Sequence, residues 1–107
     1  MGDFGVYEPT RNEQVLIGVT AVTVSESRSL TPSNKRKVIL IRNTSPAAAD
    51  IITVWFSSSG VAAANSGIKL LQGESVADSS DSGYDCFQDK ITAICATANG
   101  TINVYER

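Results

Sequence analysis

Short runs of apolar and β-branched residues, separated by turn-forming residues, limit most strongly what this chain can fold into. Such runs occupy residues 15–24, 37–41, 51–57, 68–71, 84–88, 90–96 and 101–105. Segments rich in Gly, Pro, Asn or Ser separate most of them, and no run repeats with the period of an amphipathic helix. About six or seven short strands with this spacing are typical of a β-sandwich or barrel. We therefore predict an all-β fold, a small β-sandwich of jelly-roll-like form.

A change of phase marks the first run. Its Val and Ile side chains stand at odd positions from Val15 to Val19 and at even positions in Val22 and Val24. An extra residue within a strand shifts the alternation in this way, so we predict a single long strand with a β-bulge near residues 20–22.

The middle of the chain carries two further predictions. Residues 37–41 are apolar on both faces, which predicts a central strand covered on both sides. The basic residues at its start, 35–37, are predicted to keep a turn soluble. Farther along, the polar sequence ADSSDSG of residues 77–83 predicts a loop, and residues 84–88 are predicted to form a strand.

Asn99 and Gly100 form the strongest hairpin signal in the chain. Both residue types tolerate the left-handed backbone that a type I′ turn requires. We therefore predict a tight hairpin that joins a strand at residues 90–96 to a last strand at residues 101–105.

The N-terminal residues 1–13 (MGDFGVYEPTRNE) differ from the rest because they carry neither helical nor strand periodicity. We predict an extended N-terminal arm over residues 1–13 that packs onto a partner, followed by a single β-sandwich domain over residues 14–107. Terminal disorder is the alternative for the arm. Its apolar residues Phe4, Val6 and Tyr7 are candidate partner-binding residues.

Trp55 is the fourth candidate for binding a partner. It and Phe56 are neighbours in a predicted strand, so their side chains face opposite sides of a sheet. We expect one of the two in the core and the other in contact with a partner.

The charge balance argues against two classes of partner. Nine basic and eleven acidic residues leave a net charge of -2, whereas nucleic acids and anionic membranes require a basic face. No apolar run approaches the roughly 20 residues of a membrane span, and the start of the chain lacks the pattern of a signal peptide. We expect synthesis in a cytoplasm, where Cys86 and Cys95 stay reduced and unpaired.

Residue types that carry catalysis are scarce. The sequence has no histidine, the commonest general base and metal ligand, and its two cysteines cannot complete a zinc site. Asp78, Asp81 and Asp85 could in principle supply oxygen ligands to calcium, but their spacing matches no EF-hand, so a solvated loop is preferred. We therefore predict no enzymatic activity, no cofactor and no metal site.

Five segments of the chain resemble a pattern found in small structural proteins of tailed bacteriophages. They are residues 36–43 (RKVILIRN), 54–56 (VWF), 65–70 (NSGIKL), 73–75 (GES) and 91–94 (ITAI). The resemblance extends from residue 36 to residue 105, and each segment is a strand with its turn. In size the chain is most similar to head decoration (cement) proteins.

This resemblance implies a non-enzymatic virion structural protein on the capsid exterior. Such a decoration protein binds the major capsid protein, stabilises its lattice and forms a homo-oligomer, either a dimer or a trimer. The N-terminal arm has no counterpart in the pattern.

Two other functions fit the same sequence. The chain could be a different phage virion component, such as a head fibre base, a tail adaptor or a receptor-binding knob. A carbohydrate-binding knob would cluster exposed aromatic residues, whereas those of this chain are scattered along the sequence. The chain could also be a cellular β-sandwich binding module, in which case its genomic neighbours would not be capsid or packaging genes.

Overall fold

The computed structural model describes residues 10–28 and 34–107. In these residues the chain forms eight strands: β1 (Arg11–Ile17), β2 (Val22–Ser25), β3 (Val38–Asn43), β4 (Ile52–Phe56), β5 (Ile68–Leu70), β6 (Ser75–Ser79), β7 (Ile91–Cys95) and β8 (Gly100–Glu106). They build two antiparallel four-stranded sheets, the first in the order β1-β8-β3-β6 and the second in the order β2-β7-β4-β5. The sheets pack face to face, so the predicted all-β sandwich is confirmed.

The core lies between the inner faces of the two sheets. Alternate residues of each strand face inward, and β-branched side chains dominate these positions. The first sheet contributes Ile17, Ile39, Ile41, Ile102 and Val104, and the second contributes Val24, Ile52, Val54, Leu70, Ile91, Ala93 and Cys95. Because each fully buried aliphatic side chain stabilises the fold by about 1.5–3 kcal/mol, this layer holds the sheets together.

Consecutive strands seldom lie side by side. Among the described strands only β4 and β5 are both consecutive in sequence and hydrogen-bonded to each other, and every other connection passes from one sheet to the other. The ladders therefore join distant parts of the chain: β1 pairs with β8, and β3 pairs with both β6 and β8.

The single long strand predicted over residues 15–24 is wrong. The chain leaves the first sheet after β1 and enters the second sheet at β2, so the change of phase marks a crossing between sheets. The Gly18 carbonyl oxygen accepts a hydrogen bond from the Cys95 backbone N–H at 2.8 Å, which ties the crossing to β7. A register irregularity does occur, but it lies between Thr23 and Ser25 in β2.

The hairpin predicted at Asn99 and Gly100 is also wrong. Strands β7 and β8 lie in different sheets, and neither residue has a positive φ. Gly100 is required for space instead: a Cβ atom there would lie 2.6 Å from the Cys95 Sγ and 2.8 Å from the Ile17 carbonyl oxygen. The close approach of three strands, rather than a turn, explains this glycine.

Two predictions between residues 77 and 88 are also corrected. The predicted loop at residues 77–83 begins inside β6, and residues 84–88 form no strand. β6 is an edge strand with mostly polar or small side chains, so it lacks the apolar pattern of the central strands. The runs at residues 37–41, 51–57 and 68–71 correspond to β3, β4 and β5, as predicted.

β3 is central in its sheet, but the described residues cover only its inner face. Ile39 and Ile41 are buried, whereas Val38 and Leu40 on the outer face are only half-buried. The predicted cover on both sides is therefore wrong for the described part of the chain. Apolar side chains are left on the outside of the first sheet.

The start of β1 shifts the predicted boundary between arm and domain. Residues 11–13, which the sequence assigns to the arm, belong to β1 and pair with β8. The β-sandwich thus begins three residues before the predicted boundary at residue 14. The candidate residues Phe4, Val6 and Tyr7 lie outside the described residues.

Both cysteines are buried and unpaired, as predicted. Cys95 belongs to the core, and the Cys86 thiol donates to the Arg36 carbonyl oxygen at 3.1 Å. Cys95 thus packs as a small apolar side chain, whereas the Cys86 thiol is buried as a hydrogen-bond donor.

Candidate functional site

A buried charge cluster closes the end of the sandwich at which β1 begins. Glu106, near the end of β8, accepts hydrogen bonds from three guanidinium groups. The donors are Arg11 Nη1 at 2.7 Å, Arg28 Nη2 at 2.8 Å and Arg36 Nε at 3.1 Å. The Ser25 hydroxyl at the end of β2 donates to the same carboxylate at 3.0 Å. One carboxylate therefore joins β1, β2 and β8.

Arg36 links this cluster to the chain around it. It is fully buried and also donates to the Ser25 hydroxyl oxygen at 2.7 Å and to the Glu26 carbonyl oxygen at 2.8 Å. The prediction that this basic cluster keeps a turn soluble is therefore wrong for Arg36. Its neighbour Lys35 pairs with Asp85 at 2.9 Å at the surface.

The pKa of Glu106 reflects a competition between burial and its partners. Burial by itself would raise the pKa, but the hydrogen bonds from Arg11, Arg36 and Ser25 outweigh it and hold the pKa below its ordinary value. Burial lowers the pKa of Arg36, which nevertheless stays protonated because an arginine starts from so high a value. The cluster has a structural role: it holds the start of β1 against the ends of β2 and β8.

An open hollow lies on the outer face of the first sheet, near the same end. It is lined by Val38, Leu40, Ala77, Asp78, Ser79, Asp81, Tyr84 and Tyr105, and its volume is about 580 Å³. We call it the Tyr84 hollow. Its apolar floor spans three adjacent strands, because Leu40 of β3 stands between Tyr105 of β8 and Ala77 of β6.

A second hollow adjoins the first at the open side of the sandwich, between the edge strands β5 and β6. We call it the side hollow. It is lined by Phe56, Ile68, Val76, Ala77, Asp78, Tyr84, Asp85 and Phe87, and its volume is about 420 Å³. Phe56 and Phe87 pack edge to face there, with ring centroids 5.2 Å apart. Because the hollows share Ala77, Asp78 and Tyr84, they form one apolar and aromatic surface with an acidic rim.

Tyr84 stands between the two hollows and is held there by its own segment. Its hydroxyl donates to the Asp78 Oδ2 at 2.8 Å, and the Phe87 backbone N–H donates to the same oxygen at 3.0 Å. The backbones of Asp81 and Tyr84 exchange hydrogen bonds of 3.0 and 3.1 Å. The hydrogen bond to Asp78 raises the pKa of Tyr84. Half of the residue's surface is nevertheless exposed, so the ring is a fixed, accessible contact.

The aspartates of residues 78–85 do not converge on one point. Asp78 is engaged by Tyr84 and Phe87, and Asp85 is engaged by Lys35. Over residues 10–28 and 34–107, no three His, Cys, Asp or Glu side chains gather as metal ligands would. The acidic side chains serve instead as the rim of the hollows.

The structure separates Trp55 from the hollows. Phe56 packs against the core and lines the side hollow, so Trp55 faces the outer side of the second sheet. Its indole N–H donates to the Ser59 carbonyl oxygen at 3.0 Å, and the side chain is half-buried. The candidate residue therefore closes a turn of its own chain, and the aromatic residues on the hollow surface are Phe56, Tyr84, Phe87 and Tyr105.

Sequence reasoning misses both hollows because their residues are far apart in the chain. Leu40, Tyr84 and Tyr105 meet only because β3 lies between β6 and β8. The available signal is the apolar outer face of β3, which by itself predicts burial rather than an open surface.

Comparison with known proteins gives no information about the function of this chain. No protein-family model, no curated protein and no solved structure matches this chain. In the part of the chain that the structure describes, no helix is long and apolar enough to cross a membrane. The adjoining hollows are thus the surface on which a functional proposal can rest.

Proposed function

We propose that the chain is a non-enzymatic virion structural protein, a capsid decoration (cement) protein that binds and stabilises the lattice of a major capsid protein. The observation that carries this proposal is the apolar and aromatic surface formed by the Tyr84 hollow and the side hollow. Fixed aromatic side chains beside a polar rim are typical of protein-binding surfaces.

The fold is consistent with such a role. Two four-stranded sheets with the orders β1-β8-β3-β6 and β2-β7-β4-β5, joined by connections that cross between them, support the jelly-roll interpretation of the sandwich. The segments that resemble phage structural proteins include much of β3, β4, β5 and β7, which supports treating that resemblance as one of architecture.

The contact that we propose uses an edge as well as a hollow. β6 is an edge strand of the first sheet, and its residues Val76 and Ala77 line the side hollow. An extended segment of the capsid subunit can pair with such an edge while its apolar side chains enter the hollow. The arm residues Phe4, Val6 and Tyr7 add a second contact, and a dimer or trimer of the protein on the capsid exterior would multiply both.

Co-sedimentation with capsids tests this proposal. The capsids are assembled from the major capsid protein of the genome that encodes the chain, and bound protein is quantified after pelleting. Ile68→Glu places a charge in the side hollow and is expected to lower capsid affinity at least tenfold. Leu71→Glu is the matched control, because Leu71 is similarly exposed but lies outside both hollows.

Three outcomes of this experiment would count against the proposal. Equal loss of binding in both variants would mean that the side hollow has no special part in the contact. Wild-type affinity in the full-length variant Phe4→Ser/Val6→Ser/Tyr7→Ser would remove the arm from it. Absence of any binding by the wild-type protein would refute the decoration function and favour another virion component or a cellular binding module.

A further inference from the structure

We infer that, in the free protein, the Tyr84 hollow is the docking site of the chain's own N-terminal residues, with Phe4, Val6 and Tyr7 against its apolar floor. This inference concerns the isolated protein and holds whether or not it binds a capsid. It assigns an occupant to an apolar surface that the described residues leave open.

The first argument is where the chain leaves the sandwich. Arg11, the first residue of β1, stands opposite Glu106 of β8, which in turn stands opposite Ile39 of β3. Val38, the next residue of β3 toward that end, lines the Tyr84 hollow. Adjacent strands lie about 5 Å apart, so the chain leaves β1 about 10 Å from the floor of the hollow.

The charge cluster makes this point of departure fixed. Arg11 is held by Glu106 at 2.7 Å and by the Val24 carbonyl oxygen at 2.6 Å. The residues before Arg11 therefore start from a constant position beside the hollow. A tether of this kind gives a segment a high effective concentration at a site within its reach, which favours the chain's own hollow over that of a second molecule.

The second argument is length. Nine residues, 1–9, precede Thr10, the first described residue. At about 3.3 Å per extended residue, Tyr7 can lie up to roughly 10 Å and Phe4 up to roughly 20 Å from Thr10, which compares with about 10 Å to the floor of the hollow. Reversing the chain direction onto the outer face consumes two or three residues, roughly a turn, which leaves Phe4 within range of the floor and Tyr7 within range only of the nearer, β8 side of the hollow, where Tyr105 stands.

The third argument is chemical fit. The arm residues Phe4, Val6 and Tyr7 are apolar, and the hollow of about 580 Å³ offers Val38, Leu40, Tyr84 and Tyr105. Electrostatics opposes such a contact, since the arm carries the acidic residues Asp3 and Glu8 and the rim of the hollow carries Asp81. Salt screens the repulsion between like charges, so docking that is driven by apolar contact should become tighter as the salt concentration rises. A contact held by ion pairs would become weaker instead.

Amide NMR spectra of two full-length proteins give the first test. Wild type is compared with Phe4→Ser/Val6→Ser/Tyr7→Ser, which leaves every described residue unchanged. We expect shift differences at Val38, Leu40, Tyr84 and Tyr105 and none around Trp55. The differences should increase between low and high salt. Identical spectra at the hollow would overturn the inference.

Photo-crosslinking gives the second test and separates the occupants. A benzophenone side chain replaces Phe4 in the full chain, and unlabelled and ¹⁵N-labelled chains are mixed before irradiation. We expect crosslinks within one chain, to peptides that carry Leu40, Tyr84 or Tyr105. Crosslinks only between chains would assign the hollow to a second copy and overturn the inference, as would crosslinks scattered over the surface.

A matched pair of leucine substitutions completes this test. Leu40 and Leu16 both point outward from the first sheet, but only Leu40 lines the hollow. Leu40→Glu should lower the crosslink yield at the hollow at least fivefold, whereas Leu16→Glu should leave it unchanged. Leu40→Ser serves as the second variant if the glutamate impairs folding. Equal yields from the Leu16 and Leu40 variants would overturn the inference.

Discussion

At the scale of single residues, the stability of the end of the sandwich at which β1 begins depends mainly on the buried Glu106. Its carboxylate is the shared acceptor of Arg11, Arg28 and Arg36 and stands almost out of contact with water. Removing one member of a buried ion pair is costly because the partner charge remains buried without compensation.

We therefore expect Glu106→Gln to lower the free energy of unfolding by roughly 3–5 kcal/mol. Equilibrium unfolding in urea measures this change. Glu13→Gln is the control, because Glu13 also pairs with Arg11, at 2.6 Å, but its side chain is 54% exposed. An exposed pair contributes less than about 1 kcal/mol. A similar loss in both variants would contradict the central role of Glu106.

The lowered pKa of Glu106 also sets a direction for the effect of pH. In the unfolded chain the group titrates near its ordinary pKa of about 4.3, and in the folded protein it titrates lower. Its stabilising contribution is therefore complete above about pH 5 and is lost as the pH falls through the lower, folded value. Asp89 acts in the same direction, because hydrogen bonds, led by that from Ser27, lower its pKa to about 2.

Urea unfolding between pH 7 and pH 2.5 measures this dependence. We expect stability to fall steadily below about pH 4.5 in the wild type. The fall should be shallower in Glu106→Gln, which has no carboxylate at this position to protonate. An unchanged slope in that variant would show that other carboxylates govern the response to acid.

At the scale of elements, the crossing from β7 to β8 requires a glycine at residue 100 because no side chain fits there. Gly100 lies against Cys95 and the backbone of Ile17, and any Cβ atom there would overlap both. The sequence singles out the same residue, but for a type I′ hairpin turn that the structure does not form.

We expect Gly100→Ala to lower the free energy of unfolding by about 1–3 kcal/mol, since neither the backbone oxygen nor the buried Cys95 side chain can move without disturbing the core. Gly18→Ala is the matched control: a Cβ atom at Gly18 would meet nothing within 4 Å, and Gly18 has no positive φ. Its effect should stay below about 1 kcal/mol. Thermal unfolding of both variants decides the matter, and a harmless Gly100→Ala would contradict the packing argument.

The elements also show what sequence patterns can and cannot predict here. Strands β3, β4, β5, β7 and β8 are visible as apolar runs because each buries one face. β6 is missed because an edge strand buries little apolar surface and so lacks an apolar run. The break between β1 and β2 is missed because a crossing between sheets and a β-bulge both shift the alternation of apolar positions in the same way. Pairing is not predicted correctly, since the hairpin signal at Asn99 describes a local turn and β8 finds its partners far away in β1 and β3.

At the scale of the whole molecule, the same limit explains why the candidate site is absent from the sequence prediction. The Tyr84 hollow needs β3, β6 and β8 side by side, and their residues are separated by long stretches of chain. Only the charged character of residues 78–85 is visible beforehand, and it predicts a solvated loop rather than the rim of an apolar surface.

The strand orders have one more consequence. Every ladder in the described structure pairs a strand from the first four with a strand from the last four: β1 with β8, β2 with β7, β3 with β6 and β8, and β4 with β5 and β7. Each strand therefore pairs only with strands from the other half of the chain, and neither half contains a ladder of its own. A chain emerging from the ribosome therefore cannot close a single native ladder until β5 has been made.

If the chain is split in the β4–β5 connection, we expect each half to remain unfolded alone. The β-sheet circular-dichroism signal should return only when the two halves are mixed.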